Sequence, residues 1–232
     1  AEASEARSAD LVFAVSADIA NLCRKNFGFS PIVKTHGVDR NIFNEKVDGS
    51  AIRKKYGLGN CFVFLTVCRL EPRKDISTLL LAAKDFLSHN SDVYFLIVGE
   101  GVAANELRSQ ARQLGIERQV IFSGRVSDEE LPHYYASGDV FVLPTLYEGF
   151  GIVFAEAMAV GLPIISTNIS AVPDVVGDAG ILFTPKDVDE LTTALEKIYS
   201  DKYLYADLKN KALQRAKQEF DLEKLLPIYE QN

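Results

Sequence analysis

Between Glu148 and Glu156 the chain reads Glu-Gly-Phe-Gly-Ile-Val-Phe-Ala-Glu: two carboxylates eight positions apart, around a glycine turn that opens an otherwise apolar helix. A carboxylate in such a helix is costly unless a partner meets it. The glycines leave a helix N-terminus open to an anion. Upstream, Arg69-Leu-Glu-Pro-Arg-Lys74 places three cations within six residues of a chain whose net charge is -7. A planar Arg fork beside a compact Lys charge suits a diphosphate, and a solvated charged loop is the alternative. Glu148, ahead of the helix, could accept hydrogen bonds from sugar hydroxyls or simply stabilise the helix terminus. For Glu156 the choice lies between a polar ligand such as a ribose diol, a backbone amide, and a buried ion pair with a distant cation.

Two carboxylates also invite a glycoside hydrolase reading. Eight helical residues would separate them by about 12 Å, beyond the roughly 5 to 9.5 Å that such enzymes use, although Glu148 itself precedes the helix. Gly99-Glu-Gly-Val-Ala-Ala104 fits a loose dinucleotide fingerprint, but that pattern belongs on the first βα turn of its domain. Gly99 and Gly101 therefore read as a close backbone approach to some ligand, or as a plain turn. Ser123-Gly-Arg-Val126 could meet the edge of a base through Gly124, or could merely serve the turn. His36, His89 and His133 show no metal-type spacing and read as surface or capping residues. No Gly-x-Ser-x-Gly elbow is present.

The elements that must position these residues alternate. Short apolar runs at 62–67, 93–98, 120–123, 140–143, 164–167 and 181–183 read as strands. Helical stretches at 76–87, 105–114, 128–136 and 152–160 lie between them. Ser127-Asp-Glu-Glu130 is a capping box, while Gly161 and Pro163 end the last of these helices. The pattern predicts an α/β protein with a Rossmann-like, doubly wound parallel sheet, in which residues just after each strand carry the ligand. Before it, 11–15 reads as a strand, 17–27 as a helix closed by Gly28, 32–33 as a strand, and 39–59 as a polar linker. After it, 187–200, 203–219 and 222–229 read as helices. The polar stretch thus links two domains, 1–45 holding the first with its linker and 46–232 a ligand-binding one.

Bulk properties narrow the partners. The 232 residues, 47% of them hydrophobic, suffice for a full core. An acidic balance argues against nucleic acid and against a broadly basic membrane face. No apolar run approaches the roughly 20 residues of a membrane span. Cys23, Cys61 and Cys68 read as packing residues in a reducing, cytoplasmic setting. The opening Ala-Glu-Ala-Ser-Glu-Ala-Arg has no initiator Met, signal peptide or basic leader, and reads as the interior of a longer protein.

Together these residues resemble the retaining glycosyltransferases of the GT-B fold, specifically family 4, also called glycosyl transferase group 1. Glu148 to Pro163 is similar to the family's Glu, seven residues, Glu signature; Arg69 and Lys74 stand at its Arg-to-Lys spacing; Gly99-Glu-Gly101 and Ser123-Gly-Arg-Val126 support it. The resemblance implies that Arg69 and Lys74 bind the donor diphosphate, Glu148 contacts the transferred sugar and Glu156 holds the ribose hydroxyls. It gives Phe150 and Gly151 backbone contacts near sugar or phosphate, and Gly99, Gly101, Arg125 and Val126 places in the donor site. No metal or other cofactor is then required, because cations and a helix end stabilise the departing nucleoside diphosphate. Two departures stand out: His36-Gly-Val-Asp39 where the family often has Asn-Gly-Val-Asp, and Asp75 where Gly commonly follows the Lys. The resemblance also implies that most of an amino-terminal, acceptor-binding domain is missing. The chain is then the donor-binding half, acting on a sugar, lipid-linked or small-molecule acceptor. The competing expectations are a nucleotide-sugar-binding subunit that needs a partner chain, and a nucleotide-dependent oxidoreductase using Gly99 to Ala104.

Overall fold

Six consecutive strands form one parallel sheet, and its strand order explains where a ligand can sit. The computed structural model describes Ala9 and residues 11–230, the side chains of 228–230 excepted. The opening segment 1–7 lies outside the described residues. At the start, β1 (Phe13–Ala14) and β2 (Ile32–Val33) pair in parallel around α1 (Ala17–Phe27). Ser16 caps that helix and Gly28 ends it in the left-handed region. Strand β1 is shorter than the predicted 11–15. Leu11, Phe13, Ile32 and Val33 are exposed, so this small sheet offers little burial of its own.

The stretch read as a linker is more ordered than expected, because it contains α2 (Ser50–Lys55). Arg53 of α2 holds the Asp139 carboxylate at 2.7 Å and the Cys61 carbonyl at 2.9 Å, which fixes α2 to the main domain. The main sheet then runs β3 (Phe62–Val67), α3 (Ile76–Leu87), β4 (Val93–Val98), α4 (Ala104–Gln113), β5 (Val120–Gly124), α5 (Leu131–Ser137), β6 (Val140–Leu143), α6 (Ile152–Ala159), β7 (Ile164–Thr167), α7 (Val172–Val176) and β8 (Gly180–Phe183). Helices α8 (Val188–Ser200), α9 (Lys202–Glu219) and α10 (Leu222–Glu230) follow. Helix α7 escaped the sequence reading because five residues are too few to show a 3.6 period.

The spatial order is β5-β4-β3-β6-β7-β8. Strands β6 and β7 are buried at every position, as expected of apolar runs covered on both faces. Parallel connections in one sheet are right-handed as a rule, which sends the helices of the two halves to opposite faces; α3 packs on α8, and α6 on α9. The capping box forms as read: the Glu130 amide donates to Ser127 Oγ at 3.3 Å and the Ser127 amide to the Glu130 carboxylate at 3.5 Å. Regular helix begins only at Leu131, so residues 128–130 are its entering turn. Among the described residues no helix is long and apolar enough to cross a membrane.

Candidate functional site

Winding reverses between β3 and β6, which lie side by side in register, Phe64 opposite Val140. Ligands of open parallel sheets bind at such a switch point, beyond the carboxyl ends of the strands. The loops leaving β3 and β6 carry Lys74 and Glu148. The first makes a 3-10 turn over Pro72–Lys74 and leaves it through Asp75 at φ 50, in the left-handed region. This accounts for a Gly being common there in the family, and Asp is among the side chains that tolerate the conformation. Asp75 is held by Thr78, whose hydroxyl donates to its carboxylate at 2.7 Å.

Backbone stitches then join the two loops. The Leu146 amide donates to the Arg73 carbonyl at 2.7 Å, and the fully buried Thr145 hydroxyl bonds the Arg73 and Tyr147 carbonyls at 3.3 and 3.1 Å. As a result Lys74 Nζ donates to Glu148 Oε1, in an ion pair whose members are only 7% and 6% exposed. Glu148 is therefore no helix cap but half of a buried pair. Next comes Gly151 at φ 82, the residue ahead of α6. A Cβ there would lie 2.7 Å from the Phe154 ring, so glycine is needed for the turn, and no side chain caps the helix. The first amides of α6 are left for whatever occupies the cleft.

Glu156 finds a partner that the sequence reading did not weigh. The phenol of Tyr135 donates to its carboxylate at 2.7 Å. Tyr135 is wholly buried, stacked on Phe141 and edge-on to Phe43. No local pattern links positions 135 and 156; the adjacency exists only once α5 and α6 flank β6. Burial pushes the Glu156 carboxyl above the ordinary range, with Asp128 adding to the rise and the Tyr135 bond opposing it. The cation cluster also differs from its expected form. Arg69 is exposed and pairs with Glu71 at 3.0 Å, as Arg73 does at 2.9 Å, so Glu71 bridges the two guanidinium groups. These bonds, that from Arg73 foremost, hold the Glu71 carboxyl below the usual range.

Two adjoining cavities share Val153. One, of about 540 Å³, is lined by Lys74, Glu148, Phe150 and Gly151 together with Val15, His36 and Gly37 from the amino-terminal side. The other, of about 660 Å³, is lined by Arg69, Gly99, Gly101, Arg125 and Val126. Thus nine of the ten expected residues line this cleft. Glu156 does not, though it lies one turn beyond Val153 on the same side of α6. Gly99 and Gly101 have a further reason to be glycine: a Cβ would come within 1.9 Å of the Cys68 carbonyl oxygen at the first and 2.4 Å of that of Leu70 at the second. Cys68, on the same wall, is a neutral thiol that burial raises to about 12. Among the described residues no three His, Cys, Asp or Glu side chains converge as metal ligands.

The profile described as Glycosyl transferases group 1 matches residues 48–215. The chain belongs to this family. Among its group 1 relatives is the GDP-mannose-dependent alpha-(1-6)-phosphatidylinositol monomannoside mannosyltransferase of Mycolicibacterium smegmatis, 34% identical over 71% of this chain and 46% of the relative. Another is the Escherichia coli UDP-Gal:alpha-D-GlcNAc-diphosphoundecaprenol alpha-1,3-galactosyltransferase, 32% identical over 82% and 51%. The match thus spans about half the length of each of these two relatives. Of solved structures, Anabaena HepE in complex with UDP and glucose superposes with a TM-score of 0.90 and 27% identity, covering 99% of this chain and 65% of that one. Sucrose-phosphate synthase of Thermosynechococcus elongatus gives 0.88 and 25%, covering 99% and 59%. The Rossmann-like sheet is that of the GT-B glycosyltransferases.

In this group 1 domain the raised Glu156 carboxyl has a measurable consequence. The folded state keeps the proton above the ordinary value of 4.5, so stability falls as pH rises from there through the raised value. Glu156→Gln removes that titration. Melting temperatures taken from about pH 4 to pH 8 should therefore show the wild type losing ground to Glu156→Gln as pH increases. A constant difference between the two would show that Glu156 titrates normally.

Proposed function

We propose that this chain is the donor-binding half of a retaining glycosyltransferase, which moves a sugar from a UDP- or GDP-sugar to an acceptor. The observation that carries the reading is the buried Lys74–Glu148 pair at the switch point, beside the uncapped start of α6. A diphosphate laid across that place meets the Lys74 ammonium and the first amides of α6, with Arg69 at the rim. Cations and aligned amides gain most where charge develops, on the leaving phosphate oxygens. Glu148 then faces the transferred sugar as an acceptor-only group. Glu156, with one oxygen on Tyr135, offers its other lone pairs to the ribose diol. Gly99, Gly101, Arg125 and Val126 line the wall left for the base, while Phe150 and Gly151 border the sugar.

On this reading the reaction needs no metal, and retention follows from attack on the face that the diphosphate leaves, the departing phosphate taking the acceptor's proton. The acceptor is bound by a further domain. Relatives named for phosphatidylinositol monomannoside and for a diphosphoundecaprenol-linked sugar support a lipid-linked one. Nucleotide-sugar donors and three free thiols suit a cytoplasmic setting.

Calorimetric titration with UDP-, GDP- and ADP-sugars tests the proposal. One of the first two should bind, and Glu156→Gln should weaken it by about tenfold, the cost of a charged hydrogen bond, while the melting temperature near neutral pH does not fall. Preferred binding of NADH, surviving Arg69→Ala and Glu156→Ala, would instead make the chain an oxidoreductase domain. Because the chain spans only 46% of its mannosyltransferase relative, binding without turnover is the expected behaviour in isolation.

A further inference from the structure

His36 is exposed, yet the backbone beside it is pinned. Two positions on, the Val38 amide donates to the Phe220 carbonyl at 2.7 Å, and the Val38 carbonyl accepts from Leu222 at 3.1 Å. Between them Gly37 passes so close to α10 that a Cβ would lie 2.8 Å from the Leu222 Cα. The His36 ring meets Phe150 edge-on, centroids 5.4 Å apart, and Phe150 meets Phe220 in the same way at 5.5 Å. The imidazole is thus located by the residue two places after Glu148. It lines the same cavity as Lys74 and Glu148. Lys74 and Glu148 satisfy each other, whereas neither ring nitrogen of His36 has a hydrogen-bond partner among the described residues.

The three groups differ in what they can bond. Lys74 only donates and Glu148 only accepts, but a neutral imidazole has one N–H and one bare nitrogen. A phosphate oxygen could use the first alone. A hydroxyl, which both donates and accepts, can use either, and a hexose presents several. We infer that His36 is a sugar-contacting residue: its imidazole hydrogen-bonds a hydroxyl of the hexose carried by the donor, from the linker side of the cavity. This rests on the donor site proposed above. It gives the departure from Asn at this position a role, since Asn also donates and accepts but lacks a ring to pack on Phe150.

The test compares affinities for a nucleoside diphosphate and for the matching nucleotide-sugar, by calorimetry, in wild type, His36→Phe and His36→Asn. His36→Phe keeps the ring on Phe150 and removes both bonding groups. It should weaken nucleotide-sugar binding by about three- to tenfold, the value of one hydrogen bond, and leave the nucleoside diphosphate within about twofold. His36→Asn should restore much of the difference. The ratio of the two affinities is taken within one protein, so a changed folded fraction cancels. A ratio unchanged in His36→Phe would overturn the sugar contact and leave the donor site standing. A wild type that binds neither ligand would overturn both.

Discussion

Lys74→Ala should lower stability by about 3–5 kcal/mol and affinity for nucleoside diphosphates by at least about 30-fold. The stability loss arises because the substitution strands Glu148, which is 6% exposed, without its counter-charge. The affinity loss arises because the cation that lines the cavity with the start of α6 is gone and an uncompensated carboxylate is left facing the phosphates. The two effects separate in a double variant. Lys74→Met with Glu148→Leu removes both charges and keeps the volume, and such exchanges are often neutral or stabilising. That protein should melt near the wild type and still fail to bind nucleotide. Glu148→Gln, which keeps Lys74 but frees it from its partner, should bind a free nucleoside diphosphate more tightly than wild type does. Equal nucleotide affinity in wild type and Lys74→Ala would remove the pair from the donor site.

Gly99→Ala is the second large effect, and it falls on folding. At φ 129 an L side chain is strained, and the added Cβ would stand 1.9 Å from the Cys68 carbonyl oxygen. That oxygen belongs to the backbone leaving β3, which is itself tied to the β4 loop by bonds from Leu70 to Glu100 and from Ala103 to Leu70. Neither side can yield without parting the loops. A loss above about 4 kcal/mol places this among the most damaging single substitutions, which for a domain of this size is roughly 8–16 °C in melting temperature. Gly28→Ala makes the control: its φ is 74, but nothing lies within 4 Å of the added Cβ. It should cost about 1–2 kcal/mol, the strain of a single left-handed residue. Similar melting temperatures for the two variants would show that the loop can move away.

The sheet was legible in sequence because its strands are short, apolar and buried on both faces, with helices long enough to show their period between them. That Arg69, Lys74 and Glu148 line one cleft was legible because strand ends in such a sheet point to one edge. Pairing was not. Tyr135 reaches Glu156, and Glu71 collects Arg69 and Arg73, through side-chain geometry that no spacing encodes. His36 reads from sequence as a surface or capping residue and is exposed in the fold; its place against Phe150 on the cavity wall was hidden, because a lone imidazole carries no pattern. Helix α2 hid in a polar stretch because Arg53 anchors it through one ion pair and two carbonyls rather than an apolar stripe. Gly99 and Gly101 were read as making room for a ligand or a turn; the nearest demand on them comes from the protein's own backbone.

These observations divide the cleft between two kinds of constraint. Glycines and buried hydroxyls hold the β3, β4 and β6 loops against each other, and the charged groups are then left few choices of partner. Lys74 and Glu148 meet because Arg73 and Leu146 are bonded, and the amides of α6 stay open because Gly151 offers no cap. The most direct test is a crystal structure of this chain with the nucleotide-sugar that calorimetry selects. The diphosphate should lie on Lys74 Nζ and the first amides of α6, the ribose hydroxyls on Glu156 and the hexose between Glu148 and His36. A diphosphate bound away from the carboxyl ends of β3 and β6, with the Lys74–Glu148 pair untouched, would contradict this placement.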